Sequence, residues 1–329
     1  MQLQDYSADS TLDVSPLFQH SLLQTFRLQR TITESVSVHG FGFWTGEDVC
    51  VELRPASPNS GIVFVRVDLP DRPRIPALIE YREEKPRQTS LVKGNARVDM
   101  VEHLLAAIKA HRIDNCEIRV DRPEMPGFDG SSCTFFRALE TVQCVDQPAV
   151  RSVRLITRSF RIGSSEHWIS VLPNRSGKNV FHYSLVADAG YPLKSQNYEF
   201  EFSTESFREE IMPCRTFLTK READYLLSQG LCGRVKARDV LVLDDDGPID
   251  NSFRFRNECA RHKILDMIGD FSLTSCDWIG TFQSYRGSHS LNAECVRQLL
   301  ENSLLLDESF LPNSSELVRS KHKLLSRAA

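Results

Sequence analysis

The chain has no run of about 18 apolar residues, the length a helix needs to cross a bilayer. Its N-terminus, Met1-Gln-Leu-Gln-Asp-Tyr, also lacks the basic start and apolar stretch of a secretory leader. Both absences point to a soluble, cytoplasmic protein without stable membrane insertion. C-x-x-C pairs are missing too: the 9 cysteines stand singly at positions 50, 116, 133, 144, 214, 232, 259, 276 and 295. An odd set of scattered thiols fits a reducing compartment rather than a disulfide framework. No charge of one sign dominates, since 40 Lys and Arg face 44 Asp and Glu for a net charge of -4. A nucleic-acid partner is therefore not expected, and any anionic ligand must be captured locally.

The 329 residues suffice for about two domains, each with its own core. Residues 1–27 are polar and aperiodic and read as an N-terminal arm. From Gln29, alternating runs separated by Gly, Thr, Pro, Ser and Asn clusters predict strands over 30–39, 48–53 and 61–67. Val101 to His111 has helical apolar spacing, and Asp99 three residues before Glu102 forms a capping-box pattern. A strand from Asn115 and a helix near Phe135 to Val142 close a first α+β domain over 28–148. The rhythm then repeats, with strands over 152–162, 167–172 and 180–186 in a second α+β domain over 149–303. Within it, a helix from Arg221, a stop at Gly230 and the strand Asp239-Val-Leu-Val-Leu read as an insertion. Residues 304–329 form a tail in which a terminal helix is possible.

The chemistry concentrates on a helix from about Arg256 to Phe271. Positions 258, 262, 266 and 270 carry Glu, His, Asp and Asp along one stripe beside an apolar surface. His262 and Asp266 have the i, i+4 spacing of metal ligands, and His103 supplies a third candidate, which makes a three-ligand zinc site with one position left for water. Each pair alone has a plainer reading: a His-Asp hydrogen bond on a helix, a Glu102 present for capping, a His103 packed under strands. Neighbouring helical residues point about 100° apart, however, so a ligating His103 would let Glu102 face a water beside the metal. His289, in a turn near Gly287, is a candidate proton donor or equally a surface or capping residue.

Thr31-Ile-Thr, Gly40-Phe-Gly-Phe-Trp-Thr-Gly46, Leu53-Arg-Pro-Ala-Ser-Pro-Asn-Ser-Gly-Ile62, Val101-Glu-His-Leu-Leu-Ala-Ala107 and Pro123-Glu-Met-Pro-Gly-Phe-Asp-Gly-Ser131 follow one another along the chain. Arg215-Thr-Phe217, Arg261-His-Lys-Ile-Leu-Asp-Met-Ile-Gly-Asp270 and His289-Ser-Leu-Asn292 complete the series. In this order they resemble the UDP-3-O-acyl-N-acetylglucosamine deacetylases, zinc amidases of lipid A biosynthesis, over about residues 28 to 302. The resemblance implies two α+β sandwich domains with the active site between them and a βαβ insertion lining an acyl-chain passage. It implies His103, His262 and Asp266 as zinc ligands, Glu102 as general base and His289 as general acid oriented by Asp270. Thr216 resembles the residue that stabilises the oxyanion with zinc, and Lys263 a charged group beside the substrate, a UDP-linked acylated glucosamine. Phe217 belongs to a matched motif and Arg286 neighbours His289, so both are expected near the substrate.

The chain departs from the family pattern at Trp44 (usually His), Met100 (usually Ser or Thr), Ser288 (usually Gly) and Leu218-Thr219 (usually Gly-Phe). Gly233-Arg-Val-Lys-Ala-Arg-Asp239 replaces a Gly/Ser-rich strand approach. Arg234, Lys236 and Arg238 would be costly in an apolar passage, so they must turn outward or the acyl route must differ. Two other readings follow: a related zinc amidase for a different acylated or nucleotide sugar, and a non-catalytic zinc-binding homologue.

Overall fold

The computed structural model describes residues 26–306 apart from 189 and 191. The expected arm before residue 26 and the tail after 306 lie outside the described residues. The first half runs through β1 (Leu28–Ile32), β2 (Val36–Phe41), β3 (Asp48–Pro55), β4 (Ile62–Arg66), β5 (Arg74–Pro76), β6 (Arg82–Glu83), β7 (Ser90–Lys93) and β8 (Ala96–Asp99). Helix α1 (Glu102–Ala110), β9 (Cys116–Val120), α2 (Cys133–Glu140) and β10 (Cys144–Val150) complete it. The second half begins with β11 (Val153–Leu155), β12 (Phe160–Gly163), β13 (Trp168–Leu172), β14 (Asn179–Leu185) and β15 (Gln196–Glu201). It continues with β16 (Phe217–Thr219), α3 (Lys220–Ser228), β17 (Leu241–Asp244), β18 (Gly247–Pro248), α4 (Glu258–Phe271), β19 (Asp277–Tyr285), α5 (His289–Asn302) and β20 (Leu304–Leu306).

The two halves share one topology. The first sheet has the order β2-β3-β9-β4-β5, and the second contains β12-β13-β19-β14-β15. In each, the third strand of the order runs parallel to the fourth while the other neighbours are antiparallel. The parallel pair requires a crossover, and the helix before the central strand, α1 or α4, supplies it. Alternation explains the strands locally: Cys116-Glu-Ile-Arg-Val buries its first, third and fifth residues. Between β15 and α4 sits a small βαβ unit in which β16 and β17 pair in parallel around α3, as the sequence predicts.

Two runs expected as single strands are broken. Residues 30–39 divide because β1 pairs with β10 whereas β2 pairs with β3. Residues 152–162 divide because β11 pairs with β19 and β20 whereas β12 pairs with β13. The fold also extends past the expected boundary at 303, since β20 adds an edge strand there. Helix α1 is not amphipathic: eight of its residues, all but Lys109, are buried, with α4 and α2 packed against it. One continuous core joins the halves through Leu104, Leu105, Ile264, Leu265 and Ile268. Each such side chain contributes roughly 1.5–3 kcal/mol by leaving water.

Candidate active site

The seam between α1 and α4 sets the site. Gly269 of α4 lies against the backbone of Glu102, where a Cβ would overlap the carbonyl oxygen and stand 2.8 Å from its carbon. That close approach brings His103 of α1 to His262 and Asp266, one turn apart on α4. Asp266 Oδ1 lies 3.5 Å from His103 Nε2 and 3.3 Å from His262 Nε2, and three donor atoms, one from each residue, lie within 4.8 Å of one another. All three side chains are buried. Asp266 Oδ1 finds no hydrogen-bond partner among the described residues, a costly state for a buried carboxylate oxygen unless a cation faces it. His262 Nδ1 is 3.1 Å from the Cys214 carbonyl, to which it donates in the tautomer that leaves Nε2 free to ligate. Burial, against the opposing pull of Asp266, lowers the His262 pKa to about 3, so the ring is neutral. Two nitrogens and one anionic oxygen fit a divalent metal of the zinc type.

Beside this triad stand a carboxylate and an imidazole–carboxylate pair. Glu102 Oε2 accepts from the Thr89 amide at 3.1 Å, and Oε1 lies 3.9 Å from His289 Nε2. Burial raises the Glu102 pKa, offset in part by His289 and His103. The expected capping box does not form: no side chain caps α1, and Asp99 instead ends β8 and binds Lys85 at 2.6 Å. Glu102 is thereby freed for the cavity. His289 was expected in a turn but is the first residue of α5, with Ser288 as the capping side chain. Its Nδ1 lies 2.9 Å from Asp270 Oδ2, which also accepts from Asn292 Nδ2 at 2.8 Å. Burial and a helix N-terminus disfavour an imidazolium. The nearby charges of Asp270 and Asp266 outweigh burial and raise the His289 pKa to about 9.

A cavity of about 310 Å³ collects Glu102, His103, Thr216, Phe217, His262, Lys263, Asp266 and His289. Lys263 Nζ bonds Asp266 Oδ2 at 2.8 Å and lies 5.8 Å from the Phe217 ring centroid. Asp266 and Tyr183 outweigh burial and raise its pKa, so it remains a cation. Arg286 is the exception. It is held by Asp188 at 2.8 Å in a shallow depression with Glu166 and His167, outside this cavity. The unusual Trp44 and Met100 both line the cavity wall. A second, mostly apolar cavity of about 180 Å³ lies under the βαβ unit and shares Phe43, Leu218 and Leu226 with the first. Of the three suspect cations, Arg234 turns outward to Asp48 and the Gly46 carbonyl, and Arg238 is exposed. Lys236 borders the cavity without filling it.

Sequence reasoning missed three participants. Thr89 touches both Glu102 and Asp270, Arg87 lines the cavity and pairs with Glu222 at 2.8 Å, and Arg215 clamps the start of α4. Arg215 Nε donates to Glu258 Oε1 at 2.8 Å with both side chains buried. Glu258, first on the acidic stripe, thus holds a guanidinium and not a metal. The Arg-Thr-Phe motif was the signal for Arg215; nothing local distinguishes Thr89.

A buried His-His-Asp triad, flanked by one carboxylate and one carboxylate-bound imidazole in a shared cleft, defines a metal-dependent hydrolase. The chain belongs to the UDP-3-O-acyl N-acetylglycosamine deacetylase family, which it matches over residues 29–301. It is 35% identical over 280 residues to the UDP-3-O-acyl-N-acetylglucosamine deacetylase of Helicobacter hepaticus, covering 83% of this chain and 90% of that protein. The deacetylase of Myxococcus xanthus is 34% identical, covering 83% and 87%, and that of Brucella melitensis 35% identical, covering 83% and 96%. No helix among the described residues is long and apolar enough to cross a membrane.

Proposed function

We propose that this protein is a zinc-dependent hydrolase that removes the acetyl group from UDP-3-O-acyl-N-acetylglucosamine in lipid A biosynthesis. The observation that carries this reading is the convergence of His103, His262 and Asp266 on one point, with Glu102 and His289 beside it. Zinc bound there supplies Lewis-acid polarisation of the acetamide carbonyl and a water acidic enough to ionise near neutral pH. Glu102, with Oε2 pinned by Thr89, takes the proton of the attacking water at Oε1. His289, an imidazolium held by Asp270, gives its Nε2 proton to the departing amine. Thr216 and Lys263, on the cavity wall, meet the charge that builds on the carbonyl oxygen. Phe217 packs beside His262 and borders the sugar.

The apolar cavity under the βαβ unit is the acyl passage in this reading, because it adjoins the cleft, sharing Phe43, Leu218 and Leu226 with it, and the suspect cations stay at its margin. A cytoplasmic reaction is part of this reading, supported by nine unpaired cysteines that suit a reducing compartment. The direct test is acetate release from the acylated UDP sugar, with and without a chelator. Turnover that survives complete metal removal, or equal rates with and without the acyl chain, would reject the corresponding half of the proposal.

A further inference from the structure

Thr89 stands just before β7 and is fully buried. Three of its atoms are committed at the site. Its hydroxyl donates to Asp270 Oδ1 at 2.5 Å and lies 3.4 Å from His289 Nδ1. Its amide donates to Glu102 Oε2 at 3.1 Å. Its carbonyl accepts from the Val101 amide at 3.3 Å, one residue before α1. One residue of the first half therefore holds the carboxylate beside the triad and reaches across the seam to the acid pair of the second half.

We infer that Thr89 is a positioning residue that fixes Glu102 and the His289–Asp270 pair relative to each other, an inference that rests on the roles proposed above. Asp270 has two oxygens to satisfy. His289 and Asn292 occupy Oδ2, so the Thr89 hydroxyl is what stops the carboxylate from rotating about its Cβ–Cγ bond. A rotating Asp270 would let the imidazole tilt, and Nε2 would lose its aim across the 3.9 Å that separates it from Glu102 Oε1. The backbone amide does the same for Glu102, leaving Oε1 as the oxygen that faces the cleft. A hydroxyl is required, since a methyl in its place fills the volume but leaves Asp270 Oδ1 without that donor.

The test uses full-length, zinc-loaded protein and three forms: wild type, Thr89→Val and Thr89→Ser. Valine keeps the shape and the amide but deletes the hydroxyl, and serine restores it. Loss of a partner that orients a site residue typically lowers activity about 10- to 100-fold. We expect that fall in kcat for Thr89→Val, with KM within about twofold and zinc content unchanged, and recovery to within about threefold of wild type in Thr89→Ser. Equal kcat in wild type and Thr89→Val would overturn the inference, as would a loss confined to KM or a serine form as impaired as valine. A wild-type protein without metal-dependent acetate release would instead reject the functional reading itself. Melting curves of the three forms separate a positioning loss from unfolding, since a kcat deficit that tracks lost folded fraction also counts against Thr89.

Discussion

Gly269→Ala tests whether helix packing, rather than local sequence, sets the metal geometry. Two effects of opposite sign compete. Alanine in the helix interior is favoured over glycine by about 1 kcal/mol. The new Cβ, however, would overlap the Glu102 carbonyl oxygen and approach its carbon and Cα to 2.8 and 2.9 Å, all backbone atoms that no rotamer change can move. Ordinary carbon contacts need about 3.5 Å, so α1 and α4 must separate by at least about 0.7 Å to clear the carbonyl carbon and further to clear its oxygen. Overpacking of this kind costs about 1–3 kcal/mol, so the balance is a net loss of up to about 2 kcal/mol. The geometric consequence is larger, because His103 stands on one helix and His262 and Asp266 on the other. A zinc site tolerates only about 0.2 Å of misplacement. The substituted protein should melt a few degrees lower, bind zinc at least tenfold more weakly in a chelator competition, and lose most turnover. A more stable protein with undiminished zinc affinity would show that the helices do not set the ligand spacing.

Other perturbations isolate single groups. Glu102→Gln should retain one zinc per chain by elemental analysis yet lower kcat about 100- to 10,000-fold; near-normal turnover would remove Glu102 as the base. Asp270→Asn removes a negative charge 2.9 Å from His289, whose pKa of about 9 then falls, so the alkaline limb of kcat/KM against pH should move to lower pH. An unmoved limb would exclude His289 as the titrating donor. Because that folded value lies above the ordinary 6.5, the His289 contribution to stability is full below about pH 6.5 and lost as pH rises through about 9. Arg215→Ala leaves Glu258 buried without its guanidinium, which should cost about 3–5 kcal/mol in urea unfolding. The double change Arg215→Met with Glu258→Leu should cost less than the single one, and a larger cost would argue that the pair is not mutually compensating.

Much of this was legible in residue order. The i, i+4 pair at 262 and 266 fixes its own geometry once a helix exists, so the closeness of His262 and Asp266 followed from periodicity. The helix and second strand of the inserted unit followed from the stop at Gly230 and the apolar run after it, whereas its βαβ form came only with the family resemblance. What failed depended on partners distant in sequence. Asp99 had the spacing of a cap, yet strand pairing claims its backbone and Lys85 its carboxylate, so tertiary context overrode a local signal. The run at 30–39 alternates smoothly but serves two sheets, and the run at 152–162 serves two separate positions of one sheet, which no local pattern records. Thr89 was invisible for the same reason, since its bond to Asp270 spans 181 positions.

The shared topology also explains why one cleft has two unlike walls. In each half, a segment of differing sequence intervenes between the edge strand, β5 or β15, and the crossover helix, α1 or α4. In the first half that segment is the three-stranded β6-β7-β8 sheet, and it brings Lys85, Arg87 and Thr89 to the site. In the second it is the β16–α3–β17 unit, which brings Phe217, Leu218 and Leu226. Equivalent segments thus line one cavity, the first contributing Lys85 and Arg87 and the second Phe217, Leu218 and Leu226, and Arg87 bonds Glu222 where they meet. A substrate with a charged nucleotide at one end and a hydrocarbon chain at the other is complementary to such a pair of walls. Neither half alone could provide both surfaces, any more than it could bring His103 to His262 and Asp266.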